Sequence, residues 1–567
     1  MRKTLKITSL LVALLVLATC FAGCSSKPAE PEESAAVEDP VSEPVQEEAA
    51  EDAPEAEEPA EPETPAALSY PFCDETVELS VYVTEVNFMG PMANCGIESW
   101  NDFSYFGVLE DLTNVHININ AVSFASFTEQ FNLYIAGGEY DDIIVGLGNQ
   151  YVGGLPVAYE SEVIMDLTDL VPQYAPNYYG MLNSDPLVDK ECRSDGGMIL
   201  DFKSMYDDYI CKNGSLIRGD LLEKLDMEVP TTVAELEEVL MAFQSEFDMA
   251  NPVHMNSNCS VPVTSFGAES YSVGGSDLGF AVIDGVIQTT LSSDAYYKAL
   301  ETTTRWYSNG LINPDFATII FDPRDPDFNS KILNGGVAYW ETQLEGIDDY
   351  NNGSTIEGYN AVPMGTLVEN EGDTYHFAGI KKVDTTAMDV CISTQCENPE
   401  IAVQWIDYWY SPEGRLMYNY GVEGETYDLV DGEVVLKDEI INNDMGVDIA
   451  SYLRMYCPYG SFFGLSMAGR MDFMASDLYM AAKEVWAQNS DTEYIVPDGV
   501  TLTTEESEEL SNITAEVSTY VSERIPRIIM GEIPLSEWDA ILEQCEVLGL
   551  SRATEIQQAA YDRYIGQ

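Results

Sequence analysis

The chain has few basic residues and very few histidines. Its 567 residues include 25 lysines and arginines against 98 aspartates and glutamates, which gives a formal net charge of −73. Nucleic acids and other polyanions need a positive surface, so this charge argues against them as partners. The three histidines, His116, His254 and His376, stand apart from one another in the sequence. We interpret them as structural or exposed residues rather than catalytic ones.

Motifs of nucleotide, hydrolase and metal chemistry are also missing. The sequence contains no GxxxxGK phosphate loop, no GxSxG nucleophile elbow and no HExxH zinc motif. The segment FDPRDPDFN carries Asp322, Asp325 and Asp327, but its prolines and missing glycine do not fit an EF-hand calcium loop. We favour a solvated acidic loop over a calcium site, and we expect no cofactor. Two carboxylates suffice for glycoside hydrolysis, and a pair can always be proposed among 98 acids, so nothing specifically indicates an enzyme.

The N-terminal region is typical of an exported protein. Three basic residues precede an apolar run over 7–17, which is too short to span a membrane, so we interpret residues 1–23 as a signal peptide. The small residues before Cys24 resemble a lipobox, in which this cysteine becomes the acylated first residue. A plain secretory signal, with Cys24 incidental, is the alternative. We expect a lipid-anchored protein on the outer face of the cytoplasmic membrane, of the Gram-positive surface type.

We predict that residues 24–69 comprise the lipidated cysteine and a disordered tether. The tether is rich in proline, alanine and acidic residues and has almost no side chains that can form a core. The nine cysteines beyond the signal region show no metal-ligand spacing, and their odd number leaves at least one unpaired. Cys391 and Cys396 are close enough in sequence to be neighbours, but the sequence does not decide whether they pair.

The folded part begins with alternating strands and helices. The pattern predicts strands over 77–83, 116–123 and 141–145, with a helix near 100–112 and another that starts at a capping box on Ser126 and Glu129. This βαβαβ order predicts an open α/β sheet, whose ligands bind beyond the carboxyl ends of its strands.

The stretch 215–243, SLIRGDLLEKLDMEVPTTVAELEEVLMAF, is the most informative. Thr232 and Glu235 form a capping box, and apolar residues at helical spacing follow. The segment resembles the "IRKDWLDKLG…VPTT" segment of extracellular solute-binding proteins (family 1), the large oligosaccharide-type lipoproteins of bacterial ABC importers. Gly219 and Leu222 replace the usual Lys and Trp.

Further segments resemble the same family over most of residues 77–565. They are AGGEYDDII at 136–144, LTDLVPQYAPN at 167–177, NPEIAVQWIDYWYSPEGRLMYNYGVEGETY at 398–427, and the C-terminal segments GEIPLSEW and AYDRY. The resemblance implies a two-lobed, type II periplasmic-binding-protein-like fold, in which each lobe is an α/β sheet with flanking helices and a hinge joins the lobes. By analogy with the family, residues 70–198 and 386–445 form lobe 1, and residues 199–385 and 446–567 form lobe 2.

The resemblance also implies a function. We expect a monomeric, non-enzymatic receptor that closes on a small extracellular solute, an oligosaccharide in chemical class, and delivers it to the transmembrane subunits of an ABC permease. The alternatives are a surface carbohydrate-active enzyme and a carbohydrate-binding adhesin or sensor.

Aromatic residues suggest where the ligand binds, because their flat faces suit sugar rings. Trp340 follows a glycine turn and a short apolar stretch, and we predict that it ends a strand at the binding crevice, with Tyr339 on the opposite face. Packing of both in the second lobe is the alternative. The predicted ligand-binding residues are Trp340, Glu341, Tyr206 and Arg218, and further Trp100, Asp141 and Tyr459.

Overall fold

The computed structural model describes most of the chain beyond the tether. The described residues are 67–85, 99–123, 126–148, 150–194, 196–255, 266, 278–319, 326–344, 347–373, 380–384, 389–443, 449–460, 462–488, 494, 496–497 and 499–566. The signal peptide, Cys24, most of the tether, Asp322 and Asp325 lie outside them. By its contacts, Glu63–Gln567 forms one compact unit.

The described residues include fourteen strands in several small sheets. They are β1 (Val77–Thr84), β2 (Val115–Val122), β3 (Ile143–Val145), β4 (Ser204–Cys211), β5 (Asn213–Arg218), β6 (Phe280–Ile283), β7 (Val286–Thr289), β8 (Tyr339–Gln343), β9 (Ala361–Met364), β10 (Ile380–Asp384), β11 (Val390–Ile392), β12 (Tyr427–Val430), β13 (Glu433–Leu436) and β14 (Leu465–Ser466).

Twenty α-helices surround these strands in the described part of the chain. They are α1 (Ser104–Thr113), α2 (Phe127–Gly137), α3 (Gly154–Glu160), α4 (Val171–Tyr174), α5 (Pro176–Ser184), α6 (Pro186–Glu191), α7 (Gly219–Leu225), α8 (Val233–Glu246), α9 (Asp294–Ser308), α10 (Pro326–Leu333), α11 (Asp348–Gly353), α12 (Pro399–Tyr408), α13 (Pro412–Tyr420), α14 (Asp438–Ile441), α15 (Ile449–Leu453), α16 (Asp477–Ala487), α17 (Thr504–Ser522), α18 (Ile525–Ile529), α19 (Trp538–Leu548) and α20 (Leu550–Ile565).

The first sheet confirms the predicted βαβαβ order. Its strands run β11-β3-β1-β2, and β1 pairs in parallel with both β2 and β3. Parallel neighbours need a crossover, which α1 and α2 provide. β11, which comes more than 240 residues after β3, pairs with it in antiparallel fashion. A distant part of the chain therefore returns to complete this sheet.

A second sheet collects strands from three distant parts of the chain. Its order is β10-β4-β14, with β10 antiparallel and β14 parallel to the central β4. Successive side chains of a strand point to opposite faces. On β4, Met205 accordingly enters one hydrophobic core and Tyr206 another. We call β10-β4-β14 the connecting sheet.

Four hydrophobic cores organise the described residues. The first core draws on residues 79–205 and 383–465, and the fourth on 82–200 with Cys391. The second core draws on 217–367 and 510–556, and the third on 206–361 and 468–486. The chain thus passes three times between the first and fourth cores on one side and the second and third on the other. Residues 199–205 and 453–465, which the sequence analysis assigns to lobe 2, contribute to the first core. The lobe bounds given above stay a prediction.

Local capping signals were predicted with mixed success. Thr232 and Glu235 form the expected capping box at the start of α8, whose Leu236, Leu240 and Phe243 are buried. The box predicted on Ser126 is wrong, because no side-chain cap bond forms there and the Ser126 hydroxyl instead accepts a bond from Gln130.

The described cysteines form no disulfide with one another. Cys391 and Cys396, left open by the sequence, are both buried free thiols. No cluster of potential metal ligands occurs among the described residues either.

Candidate functional site

A cavity of about 300 Å³ lies where residues of the first and third cores meet. Tyr459 belongs to the first core, whereas Ile210 and Leu344 belong to the third. Small-molecule sites occupy roughly 300–1,000 Å³, so this volume suits a small ligand or one unit of a larger one. The lining residues are Ile210, Lys212, Leu344, Ile347, Asp348, Asp349, Asn352, Ile449, Ala450, Tyr459, Met467, Ala468, Arg470, Met471, Met474, Ala475 and Tyr479.

Three cations surround the ring of Tyr459. The guanidinium carbon of Arg470 lies 4.0 Å from the ring centre, that of Arg454 lies 5.5 Å away, and Lys212 Nζ lies 5.8 Å away. Lys212 Nζ is also 4.8 Å from the ring centre of Tyr206. Cations within about 6 Å of an aromatic face are attracted by its quadrupole. The site therefore combines an aromatic platform with positive charge.

The connecting sheet explains how these residues meet. Lys212 directly follows β4, and Arg470 lies four residues beyond β14. Because β4 and β14 are parallel neighbours, the segments that leave their carboxyl ends start from the same side of the sheet. Residues more than 250 positions apart thereby reach one cavity.

Acidic residues contribute to the same cavity. Asp348 and Asp349 form the first turn of α11, where carboxylates are favoured by the helix dipole. Asp348 Oδ1 accepts a hydrogen bond from the Ser476 hydroxyl just before α16. The cavity therefore carries charges of both signs.

A second cavity of about 290 Å³ has a different setting. Its described lining consists of Asn329, Ser330, Leu333, Asn334, Gly353 and Thr355, all beside the third core and none from the first. A ligand there would not contact both groups of cores, so we choose the first cavity as the candidate site.

Two of the residues predicted from the sequence lie at this site. Tyr459 lines the cavity. Tyr206 is 2% exposed and lies beneath Lys212 rather than on the cavity wall.

The structure corrects the placement of Trp340. The strand β8 continues to Gln343, so Trp340 does not end it but pairs with Leu216 of β5. Its side chain is 1% exposed and packs edge-on against Tyr350, with ring centres 5.3 Å apart. Tyr339 lies on the opposite face, as predicted, but it is buried in the second core, so both aromatics are core residues. Glu341 is the next residue of this strand and is partly buried.

Arg218, Trp100 and Asp141 lie outside the described lining of the cavity. Arg218 is buried and binds both carboxylate oxygens of Asp220, at 2.6 and 2.8 Å. The indole N–H of Trp100 donates to the Thr84 carbonyl at the end of β1. Asp141 precedes β3 and so lies at the amino end of that strand, away from the carboxyl ends. The ligand-binding roles of the seven residues stay predictions.

Lys212 and Arg470 were missed by sequence reasoning. A weak signal existed, since basic residues are scarce in this chain and each of these two closely follows a strand, β4 or β14. That they point to one cavity depends on the pairing of β4 with β14, which no local pattern reveals.

Similarity searches against known proteins identify related sequences. No protein-family model matches the chain. The chain is 25% identical over 490 residues to the fructooligosaccharide ABC transporter substrate-binding protein FusA of Streptococcus pneumoniae, which covers 80% of this chain and 86% of FusA. It is 23% identical over 349 residues to the lipoprotein LipO of Bacillus subtilis, covering 57% of this chain and 64% of LipO.

Solved structures show the same fold. A solute-binding protein of Bifidobacterium longum infantis, described as binding HMO and associated with an ABC transporter, superposes with a TM-score of 0.71 at 20% identity. That match covers 87% of this chain and 99% of the other. The alginate-binding protein AlgQ2 superposes with a TM-score of 0.68 at 22% identity, over 87% and 99% of the two chains. These solved structures show that the chain has the two-lobed fold of solute-binding proteins, and its sequence is similar to that of an ABC-transporter substrate-binding protein.

Proposed function

We propose that the protein captures an oligosaccharide outside the cell and delivers it to the transmembrane subunits of an ABC importer. The observation that carries this proposal is the cavity that residues of the first and third cores line together. The names of related proteins point the same way, since FusA is named for fructooligosaccharide and the Bifidobacterium protein for HMO. These relatives are binding proteins rather than enzymes, which does not favour a carbohydrase or an adhesin.

Capture works by lobe closure. In this proposal one lobe holds the first and fourth cores, the other holds the second and third, and the connecting sheet contains the hinge. A ligand that contacts both lobes favours the closed state by its differential affinity for that state. We propose that the protein acts as a monomer and carries no nucleotide site, since the transporter's other subunits supply the energy.

Closure is tested by small-angle X-ray scattering with and without ligand. A thermal-shift screen of neutral and acidic oligosaccharides would first identify a ligand, because binding to the folded state raises the melting temperature. We expect the identified ligand to reduce the radius of gyration. A library that raises no melting temperature, or a ligand that leaves the radius unchanged, would contradict the proposal.

Replacing Tyr459 by alanine is expected to weaken ligand binding about tenfold or more. An aromatic anchor at a binding site contributes on the order of 1–3 kcal/mol, and removing the ring also removes the surface against which Arg470 packs. Isothermal titration calorimetry with the ligand from the screen measures the effect. Tyr459→Phe keeps the ring and should retain most of the affinity, and Tyr297→Ala, at an exposed position on α9, is the control. Equal affinity of the Tyr459→Ala variant and the wild type would show that Tyr459 does not contribute to ligand binding.

We propose that a lipid on Cys24 holds the protein at the outer face of the membrane. Within the described part of the chain, no helix is both long and apolar enough to cross a membrane. Cys24→Ala should therefore leave the protein unprocessed or release it into the medium, and it should abolish labelling by a clickable palmitate analogue. Labelled, membrane-bound protein from this variant would show that the lipid is attached elsewhere.

A further inference from the structure

Arg470 is a buried cation that has no carboxylate partner among the described residues. Its side chain lines the cavity, and the residue is 4% exposed. Nε donates to the Asn419 carbonyl at 2.8 Å, and Nη2 donates to Cys457 Sγ at 3.6 Å. Neither acceptor carries a formal charge, and no described residue forms an ion pair with Arg470. A charge taken out of water is costly unless it is paired, so this guanidinium needs an anion that the described residues do not supply.

Two comparisons show that this situation is unusual within the chain. Arg218, which is equally buried, is neutralised by both oxygens of Asp220. Acids outnumber bases 98 to 25, so a basic residue has many potential partners. A buried arginine left without one is therefore a specific feature of this cavity.

Three acids near Arg470 have other partners. Asp472 pairs with Lys483 at 2.6 Å, and Asp207 pairs with Arg415 at 3.3 Å. Asp348, on the cavity wall, accepts a bond from Ser476. Positive charge is instead added around Arg470, because Lys212 and Arg454 both lie within 6 Å of the ring centre of Tyr459, over which Arg470 packs.

We propose that this cavity is a subsite for an acidic sugar unit, whose carboxylate forms the ion pair that Arg470 lacks. The inference rests on the proposed function and names the chemical class of its ligand. Arg470 provides directional N–H donors that match a carboxylate, Lys212 adds a second charge, and the face of Tyr459 contacts the sugar ring. The net charge of −73 repels polyanions at long range, and the cations around Tyr459 offset this repulsion within the cavity.

The test compares uronate trisaccharides with their methyl esters. Each ester keeps the rings and linkages of its acid and removes only the negative charge. Calorimetric titration of the mature protein with galacturonate, glucuronate and mannuronate trisaccharides, each with its ester, should find at least one acid that binds tenfold or more tightly than its ester. Lys212→Met should reduce that preference about tenfold, whereas Lys382→Met should not. Lys382 also lies near a tyrosine ring, that of Tyr209, but outside the described lining of the cavity.

Two further variants, Arg470→Met and Arg470→Lys, distinguish the effect of the positive charge on binding from an effect on folding. We expect Arg470→Met to abolish the preference for the acid and Arg470→Lys to keep part of it, with circular dichroism confirming that both variants fold. Equal binding of acid and ester, or binding of neutral oligosaccharides alone, would overturn the acidic subsite and leave the proposed function intact. Binding of no acidic or neutral oligosaccharide would overturn both.

Discussion

Replacing Trp340 by alanine is expected to lower the free energy of unfolding by roughly 3–5 kcal/mol, the usual cost of truncating a fully buried tryptophan. Trp340 is the second residue of β8, and its ring lies in the third core against Tyr350. The side chain is 1% exposed, so the truncation leaves a large hole that its neighbours fill only in part. The lower free energy of unfolding should therefore be measurable in the ligand-free protein.

Denaturant unfolding of the ligand-free protein, followed by circular dichroism, measures this loss. Phe473→Ala is the control, because the Phe473 ring is 49% exposed and its removal should cost far less. Affinity measured at a temperature where Trp340→Ala remains folded should stay close to that of the wild type. A Trp340→Ala variant with wild-type stability but reduced affinity would instead show that Trp340 contacts the ligand, as the sequence analysis predicts.

The second large expected effect is a pH-dependent change in stability caused by Asp389. This residue lies between β10 of the connecting sheet and β11 of the first sheet. It is 7% exposed, and its Oδ2 accepts a bond from the Gly148 N–H at 2.7 Å. Asp201 and Lys203 form an ion pair of 2.7 Å close by, and the Cys391 thiol contacts Asp389 Oδ2 at 3.8 Å. Burial, and after it the negative charge of Asp201, raises the pKa of Asp389 to about 6, although Lys203 opposes the shift.

This raised pKa predicts a loss of stability with rising pH. An unfolded aspartate has a pKa of about 3.9, so between pH 4 and 6 the folded state holds a proton that the unfolded state has released. The stabilisation is fully present below about pH 4 and is lost as the pH rises through 6.

Asp389→Asn should remove this pH dependence. The melting temperature of the variant, measured relative to the wild type, should rise between pH 4 and pH 7.5, because only the wild type must bury an ionised carboxylate at the higher pH. Measuring each variant against the wild type at the same pH removes the effect of the many other acids. Asp208→Asn, at an exposed position on β4, is the control. A constant difference between Asp389→Asn and the wild type over this range would contradict the assigned pKa.

Local features of the fold were predictable from the sequence. The strands β1 and β2 follow from alternating apolar residues, β3 follows from a short apolar run, and the start of α8 follows from the capping box at Thr232. Such patterns are set by neighbouring residues, so they appear in a single sequence. The family resemblance extended them to the two-lobed fold.

The candidate site was only partly predictable. Tyr459, which the sequence analysis predicts to bind the ligand, lines the candidate cavity. Trp340 was expected at a strand end because a turn, an apolar stretch and an acid are visible around it. Whether β8 stops at Trp340 depends on its partner β5, which continues the pairing to Gln343. Pairing with a strand more than 100 residues away is not encoded in the local pattern.

The sequence by itself determined the strongly negative charge and the order of the first sheet, and its family resemblance predicted the two-lobed fold. The tertiary structure alone decided that Trp340 is a core residue and that Lys212, Tyr459 and Arg470 share a cavity. The tertiary structure alone also showed that no carboxylate among the described residues pairs with Arg470. The physical reason is that composition and periodicity act over a few residues, whereas burial and charge pairing depend on segments that meet through the connecting sheet, whose strands come from residues 204–211, 380–384 and 465–466.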